Sequence, residues 1–153
     1  MKHAWKPGLM FSACAALAGA LLHLAMIFGG PAWFRFFGAP GGIVRMAAAG
    51  HWYPSFLCLA IAAVLALCAA YAFSAAGLIR RLPFLRPALA LIGGVLFLRG
   101  LAFIPLVLLA PRAMAGITSS TGIDSFLVVT SVLCLAMGAA YLAACVYLPP
   151  ARR

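Results

Sequence analysis

Hydrophobic positions in this chain fall into four long runs, Leu9 to Phe28, Phe56 to Leu78, Ala88 to Ala110 and Phe126 to Leu148. The connections and tails outside them hold every charged residue except Arg99. Each run is 20 to 23 residues long. A hydrocarbon core about 30 Å thick is crossed by about 20 apolar residues, and a helix satisfies its own backbone N–H and C=O groups. The pattern therefore predicts an all-α fold, a four-transmembrane-helix bundle forming a single integral membrane domain over residues 1–153.

The connections are unequal: 27 residues from Gly29 to Ser55, nine from Ile79 to Pro87 and 15 from Pro111 to Ser125. Short connections make antiparallel neighbours, so the second and third spans are expected to form a tight hairpin, punctuated by Pro83 and Pro87. The first connection is too apolar for a solvated linker. Trp33, Phe34, Phe36 and Phe37 surround Arg35, and Ile43, Val44 and Met46 accompany Arg45. Such a segment belongs in the headgroup plane or folded over the bundle, as one or two short interfacial helices divided at Gly38-Ala39-Pro40-Gly41-Gly42. His51-Trp52-Tyr53-Pro54 then reads as an aromatic belt, with Pro54 suited to the first turn of the second span. The functional alternative for this loop is a lid over an outward-facing pocket.

Composition agrees with burial in lipid: 67% of residues are hydrophobic and 8% charged. The formal charge of +10 does not point to nucleic acid, because the basic residues sit at span ends rather than on one polar face. Lys2, Lys6, Arg80, Arg81, Arg86, Arg152 and Arg153 share one side of a four-span chain, against Arg35, Arg45 and Arg112 on the other. Cationic short loops stay cytoplasmic, which predicts both termini in the cytoplasm and the first and third loops outside. The first run is longer than a signal-peptide core and no Ala-x-Ala site follows it, so it is read as a retained span. Phe11-Ser12-Ala13-Cys14 has too little apolar sequence before it to be a lipoprotein cleavage site.

All five cysteines, Cys14, Cys58, Cys68, Cys134 and Cys145, lie inside the spans with no Cys-x-x-Cys pair, and read as small packing residues. Small residues recur every fourth position as Ser12, Ala16, Ala20, then Ala62, Ala66, Ala70, then Ala136, Ala140, Ala144. Stripes of this kind let membrane helices approach closely, within one chain or between copies. Gly93 and Gly94 are expected to mark a close crossing.

Arg99 is the one cation placed mid-span. A guanidinium there costs about 2.5 to 3.5 kcal/mol on insertion scales, so it is expected to face the bundle interior and be hydrogen-bonded. The competing reading rests on Pro105, which can kink or end the helix early and leave Arg99 shallow enough to snorkel outward. Asp124 is the only acidic residue in the chain. It fits both a partner for Arg99 and the end of a capping box, Thr121-Gly122-Ile123-Asp124. His23, Arg99, Asp124, Thr130 and Ser131 all fall in the outer half of the membrane and form the candidate ligand-binding set. Ser12, Tyr71, Ser74 and Tyr141 in the inner half read as ordinary interhelical hydrogen bonds and interface anchors.

Hydrolytic or metal chemistry needs a nucleophile with its base, or several carboxylate, imidazole or thiolate ligands together. With one Asp, no Glu and three scattered His, no enzyme, metal site or cofactor is expected. Proton-coupled export by a small four-span transporter would call for a membrane-embedded carboxylate, and no span holds one deeply.

The run from His51-Trp52-Tyr53-Pro54-Ser55 through Tyr71-Ala72-Phe73-Ser74, then Gly77-Leu78-Ile79-Arg80-Arg81-Leu82-Pro83 and Leu98-Arg99-Gly100-Leu101, resembles uncharacterised small inner-membrane proteins of Gram-negative bacteria, over about residues 29–110. The resemblance implies the bacterial inner membrane and sets Arg99 in a shared motif; it brings no activity with it. The four-span layout is similar to DoxX-type proteins in topology alone. Two functions are expected from different classes. One is an accessory or oligomeric membrane subunit acting through helix contacts with itself or another membrane protein. The other is a binder or carrier of a small anionic or polar solute held by Arg99.

Overall fold

The computed structural model describes residues 5–109 and 125–148. Five helices follow one another among them: α1 (Trp5–Phe36), α2 (Gly41–Ala48), α3 (Trp52–Ala76), α4 (Leu85–Leu109) and α5 (Ser125–Tyr147). All but α2 are long and apolar enough to cross a membrane. The protein is a four-helix membrane bundle, and α2 is the extra helix expected in the first loop.

The first helix begins earlier and ends later than its apolar run. It continues to Phe36 across a break at Gly30, whose φ of 63° and ψ of −157° leave helical space, with Pro31 following. Glycine reaches positive φ without a Cβ clash, and proline restarts a helix where no N–H is needed. Gly29 is required for a second reason: a Cβ there would lie 2.1 Å from the Trp33 ring. The bent segment, a turn with Gly38 at φ 72°, and α2 then fold over one end of the bundle. Met26, Phe34, Val44 and Cys58 pack beneath them as a small cluster. His51 caps α3 by accepting from the Tyr53 N–H at 3.4 Å. Trp52 and Tyr53 are exposed while Pro54 is buried in the first turn.

The main core lies toward the other end. Leu9, Ala13 and Ala16 of α1, Ala69 and Ala72 of α3, Leu89 of α4 and Tyr141 of α5 meet there. The Tyr141 hydroxyl donates to the Cys68 carbonyl at 2.9 Å, tying α5 to α3 through the centre. Ser12 behaves differently from the interhelical role expected of it, since its hydroxyl donates to Gly8 of its own helix at 2.8 Å.

The tight hairpin expected of the second and third spans is not observed. The extensive interfaces are α1 with α3 and α4 with α5, joined through α1 and α5, whereas α3 and α4 barely touch. A short loop fixes direction, but small side chains decide which helices close on each other. At the α4–α5 crossing a Cβ on Gly138 would fall 2.6 Å from the Phe97 nitrogen, and one on Gly100 2.8 Å from the Ser131 carbonyl oxygen. Gly93 belongs to the same crossing; Gly94 has nothing within 4 Å of its Cβ position.

The α3–α4 loop has its own internal frame. Gly77 at φ 87° ends α3 in a left-handed cap, with Leu78 N–H donating to Phe73 O and Gly77 N–H to Ser74 O, a Schellman arrangement. The Ser74 hydroxyl donates to Arg80 O at 3.1 Å and accepts from Leu82 N–H at 2.9 Å. Tyr71 donates to Pro83 O at 3.4 Å. Polar groups in the loop are thus satisfied by α3 itself, and α4 is left to pack elsewhere. It runs on through Pro105 to Leu109.

Candidate ligand-binding cavity

Beneath the α2 end of the bundle lies a cavity of about 320 Å³. His23 and Met26 of α1 line one side, Leu57, Cys58 and Ile61 of α3 another, with Arg99 of α4 and Thr130 of α5 between them. Its roof is the bent end of α1 and the turn into α2, including Phe34, Phe37 and Ile43. The Gly30 break places this roof, because a straight α1 would carry Phe34 away from α3.

His23 is half-buried, and its Nδ1 lies 2.8 Å from the Gly19 carbonyl oxygen. Carbonyl oxygen only accepts, so Nδ1 carries the proton and Nε2 of the neutral ring is an acceptor. Arg99 is exposed rather than enclosed. Of the described lining residues, Ile61, Arg99 and Pro40 are the exposed ones. Ile61 and Arg99 stand on α3 and α4, neighbouring spans with only slight contact, so the cavity opens sideways between them.

Three of the five sequence candidates, His23, Arg99 and Thr130, line this one cavity. Ser131 is 2% exposed and sits at the α4–α5 crossing, where the backbone of Gly100 approaches it. Asp124 lies outside the described residues. Cys58, read from the sequence as packing alone, is buried in the cavity wall. Nothing in its neighbours along the chain signals this, because the cavity is closed over it by the bent end of α1 and the turn into α2. The cavity is mostly apolar with one guanidinium and one imidazole, a composition suited to an anionic group attached to an apolar body. Since Asp124 is the chain's single acidic residue, no described side chain can neutralise Arg99. Among the described residues no three His, Cys or carboxylate groups cluster as metal ligands.

Comparison with known protein families, curated proteins and solved structures finds no match to this chain. The fold and the site geometry therefore carry the functional reading by themselves.

Proposed function

We propose that this membrane protein binds a small anionic or polar solute with an apolar body, using Arg99 as the anion anchor in the cavity roofed by α2. The observation that carries the reading is the convergence of Arg99, His23 and Thr130 from three helices on one apolar cavity. A buried or lipid-facing guanidinium is costly without a partner, and an anionic ligand supplies one. A carboxylate can take two parallel N–H donors from the Arg99 fork, which lysine cannot offer. His23 Nε2, an acceptor, suits a donor group on the body of the solute rather than its anion, and the Thr130 hydroxyl adds a further polar contact.

The alternative, an accessory or oligomeric subunit, has less surface than the sequence promised. Ser12, Ala16, Ala20, Ala62 and Ala144 of the small-residue stripes are buried inside the chain. Ala66 and Ala136 are the exposed members. Solute binding is the role we propose for the site. We place the protein in a bacterial inner membrane with both termini cytoplasmic, which turns the α2 end and the cavity outward.

Native mass spectrometry of the full chain released from membranes tests the proposal, with octanoate as an added probe. A small anionic adduct should be retained by the wild type, lost in Arg99→Ala and weakened about tenfold in Arg99→Lys, as expected for losing one charge-assisted hydrogen bond. Equal retention by all three proteins, or none by the wild type, overturns it.

A further inference from the structure

The mouth of the Arg99 cavity constrains the body of whatever the guanidinium holds. Ile61 stands nine residues along α3 from Trp52, about 14 Å at 1.5 Å per residue, so the opening faces hydrocarbon rather than headgroups. A polar body protruding there would lose its hydration without replacement, whereas an apolar one loses nothing. Toward the α2 end the way out is closed by Phe34, which is 3% exposed, together with Phe37 and Ile43. At about 320 Å³ the cavity is at the small end of the roughly 300 to 1,000 Å³ range of ligand pockets, so the rest of a long molecule must leave through the mouth.

Outside the mouth, the groove between α3 and α4 is apolar on both banks. Val64 follows Ile61 by three positions on α3, and Val95 precedes Arg99 by four on α4, spacings that put each pair on one helix face. Val64 is 59% exposed and Val95 57%, and the two helices touch only slightly. The groove ends where the Tyr141 hydroxyl meets the Cys68 carbonyl, seven residues and about 10 Å past Ile61. What lies along it is apolar and continuous with the group at Arg99.

We infer that the occupant is a long-chain carboxylate, its carboxylate on the Arg99 guanidinium and its acyl chain leaving the cavity to lie in the α3–α4 groove. This inference rests on the reading of Arg99 as an anion anchor and names the chemical class of its solute. A carboxylate matches the parallel N–H donors of the guanidinium. Lipid chains can occupy the groove by themselves, so the charged head, not the chain, gives the site its selectivity.

The test uses the full chain in liposomes with hexadecanoate carrying a photoreactive diazirine at mid-chain, and mass spectrometry to locate the adducts. Labelling should fall on the α3 and α4 peptides that hold Val64 and Val95. It should be competed by unlabelled hexadecanoate but not by its uncharged methyl ester, and be lost in Arg99→Ala. Val64→Trp, which fills the groove without touching the cavity lining, should abolish labelling yet still retain octanoate. Leu59→Trp, at a 53% exposed position turned about 140° around the same helix from Val64, should label as the wild type does. Adducts spread over all four spans, equal competition by the methyl ester, or undiminished labelling of Val64→Trp overturns the long-chain assignment; octanoate retention that still depends on Arg99 then leaves the anion anchor standing. Absence of Arg99-dependent retention of either acid overturns both.

Discussion

Replacing Gly138 by alanine puts the α4–α5 interface to a direct test. The added methyl would sit 2.6 Å from the Phe97 nitrogen and 2.9 Å from the Gly93 carbonyl oxygen, where ordinary contact begins at 3.4 Å. Both are backbone atoms, so no side chain can swing aside and the helices must separate by about 0.8 Å. A gap of that size forfeits a quarter to a half of each dispersion contact, worth about 0.1 to 0.2 kcal/mol per atom pair. Over roughly 20 atom pairs flanking the crossing this comes to ~1 kcal/mol, and overpacking adds strain, for a net loss of about 1 to 3 kcal/mol. Alanine's better helix propensity offsets at most about 1 kcal/mol of this. Gly94→Ala is the matched control, since its Cβ position has no neighbour within 4 Å. Unfolding midpoints in a mixed detergent titration with sodium dodecyl sulfate should fall for Gly138→Ala and stay level or rise for Gly94→Ala. Equal midpoints for the two variants would refute the close crossing.

Two further outcomes follow from the same geometry. Tyr141→Phe removes the α5-to-α3 hydrogen bond and should lower stability by about 0.6 to 1 kcal/mol in the same titration; an unchanged midpoint would mean that the 2.9 Å contact with Cys68 contributes nothing. Reporter fusions to the two ends should both be active only as cytoplasmic reporters, and an external signal from either would overturn the positive-inside orientation.

The spans were legible in the sequence because lipid imposes one rule on every residue of a crossing helix, and the loop helix because its aromatic and aliphatic residues have no reason to sit in water. Pairing was not legible. The nine-residue loop pointed to α3 against α4, yet Ser74 holds that loop to α3 alone, and glycines 93, 100 and 138 draw α4 to α5. Gly93 was visible as part of a doublet, whereas Gly100 and Gly138 are single glycines in apolar runs, and only the partner's backbone shows why they are needed. His23, Arg99 and Thr130 stood out as polar residues at similar depth, but depth says nothing of facing. Their meeting is set by how the four spans pack, and the roof that closes the cavity over them comes from the Gly30 break that turns the end of α1 back over α3.

The sideways mouth between α3 and α4 changes what concentration means for the occupant of the Arg99 cavity. A molecule arriving through that seam comes from within the leaflet, so its supply is set by how readily it dissolves in lipid rather than by how much is in water. The bilayer then sorts molecules by oiliness before the guanidinium sorts them by charge. In so poorly screening a medium the attraction to an anion is several-fold stronger than at an aqueous surface.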